Sequence, residues 1–157
     1  MSIRLFRIDD RLIHGQVVVG WGQPLDVRFL VLVDDEVRDS DWEQDLYRMG
    51  VPPDLEVVFT SVAEAIDRLS EWQGDSRAGI LLTGDIEAMA SLCDGSGLVR
   101  QVNVGGIHHR SGRTERLRYV YLTDEEAQRL KQLAGQGVEV TAQDVPTARP
   151  VPLAEFT

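Results

Sequence analysis

Two uninterrupted apolar runs, Phe29-Leu30-Val31-Leu32-Val33 and Ile80-Leu81-Leu82, set the strongest constraint on what this chain can fold into. They have strand length, carry β-branched residues and lack the alternating polar positions of a half-exposed strand, so they fit central strands covered on both faces by helices. Seven strand candidates emerge along the chain: Ile3 to Ile8, Arg28 to Val33, Leu55 to Phe59, Gly79 to Leu82, Val99 to Val104, Leu117 to Leu122 and Val138 to Ala142. Helix-period segments lie between them. Ser61 with Glu64 and Thr123 with Glu126 have capping-box spacing, after which Val62, Ile66 and Leu69, and then Ala127, Leu130 and Ala134, fall on single faces. Weaker helical segments are Ile13 to Trp21, Asp41 to Met49 and Asp85 to Leu92, and the tail from Val145 to Thr157, with three prolines, reads as an extended surface segment. The pattern predicts an α/β fold, an open, mainly parallel seven-stranded sheet with helices on both faces, formed by one domain over residues 1–157.

Composition narrows the function. With 157 residues, 43% of them hydrophobic, the chain can bury a core unaided. Its one cysteine, Cys93, rules out an intrachain disulfide and a paired-thiolate zinc site. The excess of 26 acidic over 16 basic residues, a net charge of -10, opposes nucleic-acid binding through the phosphate backbone. No apolar stretch approaches the roughly 20 residues of a membrane span, and Met1-Ser2-Ile3-Arg4 lacks a signal-peptide layout, so the expectation is a soluble, cytoplasmic protein.

Ligands of open α/β sheets bind beyond the carboxyl ends of the strands, which directs attention to the loops there. The loop after the first strand, Asp9-Asp10-Arg11-Leu12-Ile13-His14-Gly15-Gln16, gathers two carboxylates, a guanidinium and an imidazole ahead of a helical segment whose first N–H groups are free for an anion. His14 fits a nucleophile, Arg11 a forked donor to phosphoryl oxygens, and an aspartate an orienting group. The same spacing also fits a helix cap, an ion pair and an ordinary half-buried histidine, and spacing alone does not choose. After the fifth strand, Gly105-Gly106 permits unusual torsions or close approach, and Arg110, Arg113, Arg116 and Arg118 form the densest positive stretch. Adjacent His108 and His109 point to opposite faces of an extended backbone, a poor metal pair. A third loop, Leu82-Thr83-Gly84-Asp85, borders the same rim or caps a helix.

The run Arg7-Ile8-Asp9-Asp10-Arg11-Leu12-Ile13-His14-Gly15-Gln16-Val17, with Trp21 beyond it, resembles the phosphorylation-site signature of the IIB components of the mannose/fructose/sorbose family of the bacterial sugar phosphotransferase system. Val33-Asp34-Asp35-Glu36-Val37 and Val102-Asn103-Val104-Gly105-Gly106, followed by Arg110, Gly112 and Thr114, resemble two further family segments in the same order. The resemblance implies a cytoplasmic protein-N(π)-phosphohistidine–sugar phosphotransferase. Such a protein takes a phosphoryl group from a IIA phosphohistidine and hands it to a sugar at the membrane components IIC and IID, with which it associates peripherally. By the same resemblance, His14 carries the group on Nδ1, Arg11 helps bind it and Asp9 and Asp10 shape the loop; His14, Arg11 and Asp9 are assigned as catalytic, and Arg11, Ile13 and Gly15 as phosphate-binding. Gln16, Gly105, Gly106, Arg110 and Arg113 are assigned to loop shaping or partner docking. No metal and no cofactor is implied. Homodimer formation stays open, as do three other readings: a regulatory phosphoprotein of the same family, a phosphometabolite-binding module, and a metal-dependent hydrolase using Asp9, Asp10 and His14.

Overall fold

The computed structural model describes residues 1–157. Nine strands form: β1 (Ile3–Ile8), β2 (Val27–Val33), β3 (Glu56–Thr60), β4 (Ala78–Thr83), β5 (Gln101–Val104), β6 (Thr114–Leu117), β7 (Val120–Leu122), β8 (Glu139–Ala142) and β9 (Val151–Pro152). Seven of them make one sheet in the order β3-β2-β4-β1-β5-β8-β9, parallel except for β9 against β8. The mainly parallel seven-stranded sheet expected from the sequence is therefore present, with one change of membership. Leu117 to Leu122 is not a sheet strand: the chain reverses at Arg118-Tyr119, and β6 pairs antiparallel with β7 as a separate hairpin. A short run of apolar and β-branched residues looks the same whether it is one strand or two arms around a tight turn.

The seventh strand comes from the tail. Val151 pairs with Ala142, and Phe156 is buried in the core, so the tail closes the sheet rather than lying on its surface. Pro152 is tolerated there because an edge strand has one side free of ladder bonds.

Both capping boxes form as predicted, at Ser61 for α3 (Val62–Gln73) and at Thr123 for α5 (Asp124–Gly135). These helices and α4 (Ile86–Ser96) cover one face of the sheet, in a core of 28 buried residues. The other face is thinner. Nine buried residues join a π-helix (Gln16–Trp21), a short helix α1 (Asp35–Arg38) and strands β2 and β4, with Tyr47 of α2 (Asp41–Met49) packed at the margin. The expected helix from Ile13 to Trp21 thus shrinks to one wide turn. Three consecutive valines and Gly20 disfavour tight α-helix, and such π turns cluster at functional sites.

Candidate functional site

The site sits where the sheet's connections diverge. From β1 the chain moves toward β2 and β3, whereas β5 and β8 lie on the other side of β1, so the loops after β1 and β5 meet at the carboxyl edge. Backbone bonds knit this edge together: Asp9 N–H donates to the Thr83 carbonyl, Gly105 N–H to that of Ile8, and Asp10 N–H to that of Gly106.

Asp9, fully buried, is the hub. Arg11 grips its carboxylate with Nε and Nη2 at 3.0 and 2.9 Å, and Arg7 donates from Nη2 at 3.3 Å. Burial opposes ionisation of Asp9, but the Arg11 hydrogen bond and the charges of Arg7, Arg11 and His14 outweigh it and hold the carboxyl below its ordinary range. The two arginines differ in freedom. Arg7 is wholly buried, and its guanidinium also donates to Asn103 Oδ1 and to the carbonyls of Gln143 and Asp144 while lying over the Trp21 ring. Arg11 is about a third exposed, at 35%, and its side chain bonds to no residue except Asp9.

His14 lies on the buried side of the same carboxylate. Its Nδ1 is 2.8 Å from the Leu12 carbonyl; a carbonyl only accepts, so Nδ1 carries the proton. Nε2 is buried without a hydrogen bond, 3.9 Å from Asp9 Oδ2. Leu12 holds its carbonyl in that position from a left-handed backbone, φ 60°, which costs a non-glycine residue about 1–2 kcal/mol and is kept by the Leu12 N–H bond to the Asp9 carbonyl. Just beyond, the N–H groups of Ile13, His14, Gly15 and Gln16 have no backbone acceptor, leaving four consecutive donors beside the imidazole for an anion.

The glycine pair has a spatial purpose. Neither residue has a positive φ, so unusual torsion is not its role. A Cβ on Gly105 would overlap the Arg7 guanidinium, and one on Gly106 would press on Arg11 and Asp9 at 3.4 Å. Asp10 turns away from Asp9 and accepts from His108, at 2.7 Å from its N–H and 2.6 Å from Nδ1, tying the first loop to the β5 loop. Asp9 and Asp10 are therefore committed to different partners and do not converge with His14 as metal ligands, which removes the geometry required by the hydrolase reading. The Arg-rich stretch also divides. Arg113, 8% exposed, is held by both oxygens of Glu126, Arg116 pairs with Asp124 and Arg118 with Asp144, so only Arg110 is exposed without an ion pair. Sequence reasoning missed Arg7 as a site residue. A charge inside a strand that needs cover on both faces was the available signal.

An open α/β sheet with a buried carboxylate, a partly exposed guanidinium, an imidazole and free backbone donors at its switch point has the features of an anion-binding site. Residues 3–157 match the family model of the PTS system sorbose subfamily IIB component, and the chain belongs to that family of phosphocarriers in sugar transport. It is 31% identical over 148 residues to the N-acetylgalactosamine-specific phosphotransferase enzyme IIB component 1 of Escherichia coli, covering 92% of each. It is also 31% identical over 147 residues to the E. coli mannose-specific EIIAB component, of which it spans 46%, about half. Among solved structures, the IIBSor domain of the Klebsiella pneumoniae sorbose permease superposes with a TM-score of 0.89 at 26% identity, over 99% of this chain and 96% of that one. No helix is long and apolar enough to cross a membrane.

Proposed function

We propose that this protein accepts a phosphoryl group from a IIA phosphohistidine onto His14 and passes it to a sugar at membrane components IIC and IID. The observation that carries the reading is the meeting of His14, Asp9 and Arg11 with four unpaired N–H groups at one loop. In the first transfer the donor histidine's N–P bond breaks as the N–P bond at His14 forms. In the second the His14 N–P bond breaks as an O–P bond to a sugar hydroxyl forms and the hydroxyl proton leaves to base. Each passes through a loose transition state, so the protein's contribution is position and charge. The accepting nitrogen must be free of a proton, whereas Nδ1 in the resting loop bonds the Leu12 carbonyl. Attack by Nδ1 requires the other tautomer. A shift of about 1 Å brings Nε2–H within hydrogen-bonding range of Asp9 and releases Nδ1 from the carbonyl. That shift gives the buried Nε2 its missing partner.

Arg11 then turns from Asp9 toward the phosphoryl oxygens, which it meets as a planar fork, while the N–H groups from Ile13 to Gln16 donate to the oxygens that Arg11 leaves. Arg7 stays with Asp9 and keeps the buried carboxylate neutralised after Arg11 has moved. The test is incubation with phosphoenolpyruvate, the general phosphotransferase proteins and the cognate IIA, followed by mapping of the label. An acid-labile, base-stable phosphate on His14, absent from His14→Ala, is expected; label retained on His108 or His109 would overturn the assignment.

A further inference from the structure

Helix α2 buries none of its nine residues. Six large hydrophobic side chains are exposed on the whole surface, and three of them, Trp42, Leu46 and Met49, at 69%, 57% and 83% exposure, belong to this one helix. Their spacing of four and three residues stacks them in one stripe. A lone exposed leucine is ordinary; a Trp-Leu-Met row is an interaction surface. The stripe is framed by acid. From Asp34 to Asp45 there are seven carboxylates and a single Arg38, itself paired with Glu64; Arg48, on the same helix, pairs with Asp45 and lies over the Phe59 ring.

We infer that this face of α2 is the surface by which the protein docks on a basic protein partner with an apolar socket, the cytoplasmic side of its membrane-embedded transport components. The inference rests on the phosphocarrier reading above and adds the surface used. Charge selects the occupant. The cytoplasmic loops of membrane proteins concentrate Lys and Arg, which complement Asp41 and Glu43 beside the stripe. The membrane surface itself is anionic and repels this segment on a chain of net charge -10. A second copy of the helix would set carboxylate against carboxylate.

Topology separates this surface from the other flank of the site. α2 packs beside β3 through Tyr47 and Phe59, on the β2–β3 side of β1, whereas Arg110 and the glycine pair lie on the β5 side. His14 stands between an acidic, apolar flank and a flank with an unpaired arginine. Donor and acceptor, which must both reach His14, thus meet different lateral surfaces and need not compete for one footprint.

The experiment compares the wild-type protein with a Trp42→Ser, Leu46→Ser, Met49→Ser variant, whose changes lie on solvent-facing positions. Co-sedimentation with inverted membrane vesicles containing or lacking the cognate IIC and IID measures docking, and labelling of His14 by IIA is followed separately. We expect the variant to bind loaded vesicles about thirtyfold more weakly, or worse, while its labelling rate stays that of the wild type. Because Trp21 and Trp72 are buried, docking should also shield the fluorescence of Trp42 from a soluble quencher. Unchanged vesicle binding by the variant would overturn the inference. So would equal binding to vesicles without IIC and IID, which would assign α2 to lipid, or a wild-type dimer that the variant dissolves, which would assign it to self-association. Absence of His14 labelling in the wild type strikes instead at the phosphocarrier reading, and vesicle binding still decides for or against α2.

Discussion

Replacing Arg7 by Met keeps most of the side-chain stem and removes the buried cation. Asp9 then retains one arginine, Arg11, one-third exposed, with His14 nearby, and Asn103 Oδ1 and the carbonyls of Gln143 and Asp144 each lose a donor. Removing one partner of a buried ion pair costs about 3–5 kcal/mol. Arg11 and entering water soften the loss at Asp9, while the orphaned acceptors, at about 1–3 kcal/mol for a fully buried group, add to it, so a net loss of about 3–5 kcal/mol is expected. In a domain of ordinary stability, about 5–15 kcal/mol, that is a large fraction. Urea denaturation measures it.

The dependence on pH supplies a second readout. Asp9 in the wild type titrates below its ordinary value of 3.8, so its contribution is present above the unfolded pKa and is lost as pH falls through the folded one. Without Arg7, desolvation pushes the folded pKa up and the protonated form is less costly to bury. The gap between wild type and variant should therefore narrow on acidification toward that ordinary value. The double variant Arg7→Met, Asp9→Asn should lose less stability than the two single changes summed. A loss below about 1 kcal/mol, or a gap that widens in acid, would refute the view of Arg7 as the fixed counter-ion.

Arg11→Lys keeps the charge and loses the fork, so transfer from IIA should fall well below wild type with little change in melting temperature; equal rates would make Arg11 structural. Gly105→Ala places a methyl on the Arg7 guanidinium and should cost about 1–3 kcal/mol by thermal denaturation, whereas Gly106→Ala, with contacts at 3.4 Å, should fold and show its defect in transfer rate. Arg110→Glu should lower the second-order rate of transfer from IIA in a salt-dependent way, while Arg113→Glu, which opposes Glu126, should show mainly as lost stability. Wild-type kinetics for Arg110→Glu at low ionic strength would leave the first loop alone as the surface that meets IIA.

How much of this was legible depends on where each signal resides. β2 and β4 announce themselves because both faces must be apolar, and the capping boxes because a hydroxyl and a carboxylate three residues apart have few other uses. β9 was hidden by its prolines, since the permission for Pro152 comes from its place at the sheet's edge and from no local pattern. The hairpin was hidden for the opposite reason: Leu117 to Leu122 holds no glycine or proline to mark the turn at Arg118-Tyr119. In the loop, residue types pointed to phosphate chemistry, yet the division of labour did not show. Arg7 and Arg11 are the same residue type four positions apart, and only the structure shows one wholly buried and the other a third exposed. The glycine pair follows suit: the space it leaves empty is filled by arginines about a hundred residues earlier in the chain.

The bonds from Arg7 to the carbonyls of Gln143 and Asp144 span 136 and 137 residues of sequence. On the ribosome, at about 5–20 residues per second, β1 therefore waits on the order of ten seconds before its buried cation can be enclosed. Until then Asp9 lacks its fixed counter-ion in place, and the loop carrying His14 has no firm seat. On the proposed assignment of His14, readiness for phosphoryl transfer is therefore expected only once the chain has reached Gln143 and Asp144 and these bonds can close.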